Sequence, residues 1–74
     1  MNTDEKLVYM ANQIARNFTS MRSGDPAAAA ADHIARYWDP GMRQRIFDRV
    51  RSANSGLEPI ADAAVRSLIK TSEN

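Results

Sequence analysis

The chain contains no cysteine, which excludes a disulfide framework, a thiolate metal site and a thiol nucleophile. Its single histidine, His33, leaves little for general acid–base chemistry. No three metal-ligating side chains fall at a recognisable spacing, and no nucleophile-elbow, P-loop or dinucleotide-binding glycine pattern occurs. The longest apolar run is the five alanines Ala27 to Ala31, far short of the roughly 20 residues that span a bilayer. Met1-Asn2-Thr3-Asp4-Glu5 is acidic, unlike a signal or transit peptide. The expectation is a cytoplasmic protein without a membrane partner. A formal net charge of +1 also gives no strong field of either sign.

Seventy-four residues suit one small domain, residues 1–74. The hydrophobic fraction is 43%, but twelve of those residues are alanine, so the expected core is thin. Docking onto a partner, or self-association, would add to it.

Three prolines and the glycines act as punctuation. A first helix over about residues 3–22, with Asn2 or Thr3 as its cap, carries Leu7, Met10, Ala11, Ile14, Phe18 and Met21 on one stripe and Asp4 and Glu5 near its positive end. Ser23-Gly24 is expected to stop it. Asp25-Pro26 opens a second helix, 26–38, with a capping aspartate and proline at the first helical position. Ala27, Ala30, Ile34, Tyr37 and Trp38 are read as its inner face, and Asp32 and Arg36 as an exposed pair. Asp39-Pro40 repeats the device and opens a third helix, 40–54, with Met42, Ile46, Val50 and Ala53 inward and Phe47 on the flank. Glu58-Pro59 opens a fourth, 59–70, with Ile60, Ala61, Ala64, Val65 and Leu68 inward. No segment alternates as a strand would. The expected fold is all-α, a small bundle with one long helix and three shorter ones.

Two features suggest an interface. Tyr9, Asn12, Gln13 and Arg16 stand at i, i+3, i+4 and i+7 on the first helix, opposite the expected core stripe. They combine an aromatic ring, two amides and a guanidinium, which suits a hydrogen-bonded contact. Arg36, Arg43, Arg45, Arg49 and Arg51 lie close together, tempered by Asp32, Asp39 and Asp48. They could recognise an anion or serve as a solvated face with internal ion pairs. His33 and Trp38 fall near the junction of the second and third helices. They read first as a half-buried histidine and a core anchor.

Leu7-Val8-Tyr9-Met10-Ala11-Asn12-Gln13-Ile14-Ala15, Asp32-His33-Ile34, Trp38-Asp39-Pro40-Gly41-Met42-Arg43 and Gly56-Leu57-Glu58-Pro59 occur in this order. In these strings the chain resembles the delta subunit of the NAD-dependent, molybdenum-containing formate dehydrogenases over nearly its whole length. Gly41 stands where that family often has a basic residue, and Asn17 where an aromatic commonly precedes Phe18. The resemblance implies a non-catalytic accessory subunit with no catalytic residue, metal or cofactor of its own. Its partner would be the catalytic alpha subunit, which carries a molybdenum bis-guanine-dinucleotide cofactor and iron–sulfur clusters. The implied role is assistance in assembly, stability or cofactor insertion. On this reading Tyr9, Asn12, Gln13, Arg16 and Arg43 contact the partner, while His33, Trp38, Asp39 and Pro40 form the junction that orients them.

Two competing readings remain at this level. A short all-α chain with an arginine-bearing third helix resembles a helix-turn-helix nucleic-acid binder, although the small net charge and Asp39 at the turn disfavour nucleic acid as partner. A self-associating helical module would follow from the thin core.

Overall fold

A computed structural model describes residues 2–20 and 24–72, and within them four helices. They are α1 (Thr3–Phe18), α2 (Pro26–Tyr37), α3 (Pro40–Val50) and α4 (Pro59–Ser72). The all-α expectation holds, with α1 the longest helix.

The starts follow the expected capping chemistry. Asn2 accepts from the Glu5 amide at 2.8 Å, Asp25 from Ala27 at 2.9 Å and Asp39 from Met42 at 2.8 Å. Each satisfies an amide that the helix geometry leaves without a partner. Pro26 and Pro40 take the first helical positions, where a missing N–H costs nothing.

The ends differ more from expectation. The first helix stops at Phe18 rather than near residue 22, and Met21, Arg22 and Ser23 lie outside the described residues. The Thr19 hydroxyl donates to the Arg16 carbonyl at 2.7 Å, and the Thr19 amide reaches the same oxygen at 3.2 Å. Those tighter bonds close the last turn. The third helix stops at Val50 rather than 54 for the same reason. Ser52 donates to the Arg49 carbonyl from both its hydroxyl and its amide, at 2.7 and 3.1 Å. Asn54 then turns left-handed at φ 63°, and Ala53, expected on the inner stripe, is exposed. The second helix ends one residue early, with Trp38 extended at ψ 137° ahead of Asp39-Pro40. The fourth runs two residues longer than expected, to Ser72.

The core centres on Ile34, Ile46, Val50 and Val65, all fully buried. Leu7, Val8, Ala11 and Ala15 reach it from α1, and Trp38 closes it at the α2–α3 junction. A smaller alanine cluster, Ala30, Ala31 and Ala64, lets α2 and α4 approach closely and is covered by Ile14, Phe18 and Leu68. No polar side chain is buried among the described residues.

On α1 the buried sector is turned from the expected one. Val8 and Ala15 are inside, whereas Met10 is 40% exposed. At about 100° per residue, the sector centred on Leu7, Val8, Ala11 and Ala15 lies about 70° round from the expected stripe. The cause is the number of neighbours: α1 packs against α2, α3 and α4, so its inner face must serve all three. Tyr37, expected inside, is 72% exposed because α2 ends there and the chain turns away.

Ile34 is fully enclosed by this packing, so Ile34→Ala should cost about 2–5 kcal/mol. The check is a urea titration followed by circular dichroism. An unchanged midpoint would contradict the core described.

Candidate functional site

The turn of α1 brings Asn12 to the edge of the bundle, beside the α3–α4 loop. There its side-chain amide makes two bonds to backbone 44 and 46 residues away. Nδ2 donates to the Gly56 carbonyl at 3.0 Å, and Oδ1 accepts from the Glu58 amide at 2.9 Å. The side chain thus acts like a short piece of strand, pairing with a loop whose backbone would otherwise need water. Gly56 has φ 88°, and a Cβ there would lie 3.3 Å from Val8 Cγ1. The loop is therefore left-handed and tight against α1 at this residue, which favours glycine.

One turn along, Arg16 grips the same loop. Its Nε donates to Glu58 Oε1 at 3.1 Å and its NH2 to Oε2, a two-pronged pair. These hydrogen bonds, with the Arg16 charge, hold the Glu58 carboxyl below its ordinary value against a smaller desolvation effect. The same hydrogen bonds, with the Glu58 charge, raise Arg16. The Glu58 carbonyl accepts from Asp62 at 2.8 Å, so Glu58 also begins α4.

The five residues expected to contact a partner therefore divide by role. Asn12 and Arg16 hold the loop to α1. Arg43 holds a helix end: its NH1 donates to the carbonyls of Trp38 at 2.7 Å and Ala35 at 3.1 Å, satisfying the last turn of α2. Tyr9 and Gln13 remain on the surface, joined by a bond from Gln13 Nε2 to the Tyr9 hydroxyl at 3.4 Å. The junction residues are placed together. Trp38 is 4% exposed, Asp39 caps α3, and Pro40 sits on the surface at its first position. His33 is half-buried, its ring 4.7 Å from that of Tyr37 and 6.3 Å, edge-on, from that of Phe18.

The arginine cluster is likewise engaged within the chain. Arg36 pairs with Asp32 at 2.9 Å, Arg45 with Asp4 at 3.1 Å and Arg51 with Asp48 at 3.8 Å. Arg49 donates to the Ser55 carbonyl at 3.1 Å. Arg66 bridges Asp62 at 2.8 Å and the Val50 carbonyl at 3.2 Å. These contacts favour the ion-paired face over an open anion site. The N-termini of α1, α2 and α3 likewise have capping side chains where a phosphate would approach.

What the sequence reading missed is a groove where α1, the end of α2 and the start of α3 converge. Its volume is about 390 Å³. Tyr9, Met10 and Gln13 form one wall, and His33 and Tyr37 the other. Trp38 and Met42 also line it. Tyr9 was visible as an interface residue. Periodicity alone places Met10 and Tyr37 inward, because it does not reveal where three helices leave a gap. The available signal was the excess of large apolar positions on α1 and α2 over what one stripe can bury.

Among the described residues no group of three or more His, Cys, Asp or Glu is placed to hold a metal ion. No helix of the described residues is long and apolar enough to cross a membrane. A family model described as NADH-dependant formate dehydrogenase delta subunit FdsD matches residues 6–65. Comparison with curated proteins and with solved structures returns no match.

Two outcomes check the loop attachment. Asn12→Ala removes both long-range bonds and should lower stability by about 1–3 kcal/mol in urea titration. Acidification tests the Arg16–Glu58 pair. A carboxyl held below its ordinary value of 4.5 stabilises the fold above that value and loses the contribution as pH falls through its folded value. The wild-type denaturation midpoint should therefore fall more steeply on acidification than that of Glu58→Gln. Parallel curves would show that the exposed pair adds nothing.

Proposed function

Because this chain belongs to the FdsD family of NADH-dependent formate dehydrogenase delta subunits, we propose that it is a non-catalytic accessory subunit of such an enzyme. It binds the catalytic alpha subunit and assists assembly, stability or cofactor insertion. The family match carries this reading. It spans α1 from Lys6 onward, α2 and α3 whole and α4 through Val65, and so includes Asn12, Arg16, Gly56 and Glu58, the residues that tie the bundle together.

The chemistry of the chain is in keeping with the role. Iron–sulfur clusters are held mainly by cysteine thiolates, and this chain has none. Its described carboxylates and histidine form no metal-holding group. The molybdenum cofactor and clusters are assigned to the partner subunit. This chain contributes surface.

Pull-down of the tagged chain from its native host at moderate salt tests the proposal. The expected companion is a large molybdenum- and iron–sulfur-containing subunit, identified by mass spectrometry and by its metal content. Recovery of nucleic acid, or of the chain alone, would overturn it.

A further inference from the structure

With no cysteine, methionine is the only source of sulfur in this chain. Two of its four methionines meet in one place: Met10 of α1 and Met42 of α3 both line the groove at the α1–α2–α3 junction. The chain's single histidine, His33 of α2, lines it with them. Each donor comes from a different helix, so no spacing in the sequence announces the set. The His33 ring is placed by other rings, its centroid 4.7 Å from that of Tyr37 and 6.3 Å from that of Phe18. Its nitrogens make no hydrogen bond among the described residues. No Asp, Glu, Lys or Arg lines the groove, although 26% of the chain is charged.

We infer that the groove is a binding site for a soft monovalent metal ion, Cu(I), held by the Met10 and Met42 thioethers and the His33 imidazole. The donor set selects the ion. Thioether sulfur is polarizable and uncharged, and soft sulfur ligands favour Cu(I). Magnesium, calcium and manganese ions bind through oxygen, usually with carboxylates, and the groove lining has no carboxylate. Zinc takes thiolate, imidazole or carboxylate, of which the lining offers a single imidazole. A divalent ion would also shed its water with no negative ligand to offset its charge. A single positive charge costs less, and no Arg or Lys lines the groove to repel it. Trp38 adds an indole to the lining, and indole is the aromatic ring that attracts a cation best.

The donors combine one free arm with two anchored ones. Met10 is 40% exposed, and its three rotatable bonds let the sulfur swing onto an ion without moving the core. Met42 is partly buried against the core cluster, and His33 is held between its ring neighbours. The inference does not depend on the accessory-subunit reading.

The experiment titrates the purified chain with Cu(I), anaerobically and with a reductant, against a chromophoric Cu(I) chelator. The chain should withdraw about one equivalent from the chelator, and excess zinc should not displace it. Met10→Leu, Met42→Leu and His33→Gln should each weaken the affinity by about tenfold or more, since even the loss of an outer-shell partner costs that much. Circular dichroism of the two methionine variants should match wild type, because leucine conserves the volume of methionine. Met21→Leu should bind as wild type. Because three helices supply the donors, Cu(I) should raise the urea midpoint of the wild-type chain and not that of the Met10→Leu, Met42→Leu double variant. X-ray absorption at the copper edge should show sulfur and nitrogen neighbours together. Failure of the wild-type chain to compete with the chelator would overturn the site. Undiminished binding by the double variant would put the ion on other groups and overturn it as well.

Discussion

The rest of the bundle depends on the amide of Asn12. Helices α3 and α4 meet through a loop with a left-handed Asn54 and a left-handed Gly56, conformations that these two residue types permit without imposing. The Asn12 side chain supplies one donor and one acceptor at the spacing that the Gly56 carbonyl and Glu58 amide require. With the loop fixed, Pro59 starts α4 in one place, and Ala61, Ala64 and Val65 face inward. The same attachment brings the loop against one side of α1. Val8 is pressed toward Gly56, and Met10 and Tyr9 are carried outward.

A small core with many alanines leaves helix ends as a major liability, because unsatisfied carbonyls near the core cost more than exposed ones. Three arginines address this from a distance. Arg43 covers the end of α2, Arg66 the end of α3, and Arg49 the loop beyond it. Arg43 and Arg49, which look like part of an anion-binding set in the sequence, are thereby tied into the fold. The remaining surface near the α1–α2–α3 junction is neutral and partly apolar, which suits a protein partner better than a phosphate backbone.

The family relationship and the physical reading meet at particular residues. The Met-Ala-Asn-Gln string combines an exposed groove wall, a core contact and the loop clamp in four consecutive positions: Met10, Ala11, Asn12 and Gln13. Trp38-Asp39-Pro40-Gly41-Met42-Arg43 combines a core anchor, a helix cap, a helix start, part of the groove floor and a staple on the preceding helix. Such strings are recognisable because several structural demands fall on neighbouring residues at once.

Sequence by itself determined the helices and most of their starts. Asn2, Asp25 and Asp39 act on amides within three residues, and Pro26 and Pro40 act on their own backbone, so that chemistry is local and legible. It also determined the apolar faces of α3 and α4 at Ile46, Val50, Ala61, Ala64 and Val65. Each of these helices has one dominant inner stripe. Only the tertiary structure decided which way α1 faces, that Asn12, Arg16 and Arg43 hold the fold, and that Tyr9, Met10 and Tyr37 surround one groove. Asn12 and Arg16 meet partners more than 40 positions along the chain, and the groove exists only where three helices converge. Periodicity describes one helix at a time, whereas burial on α1 is set by three neighbours acting together.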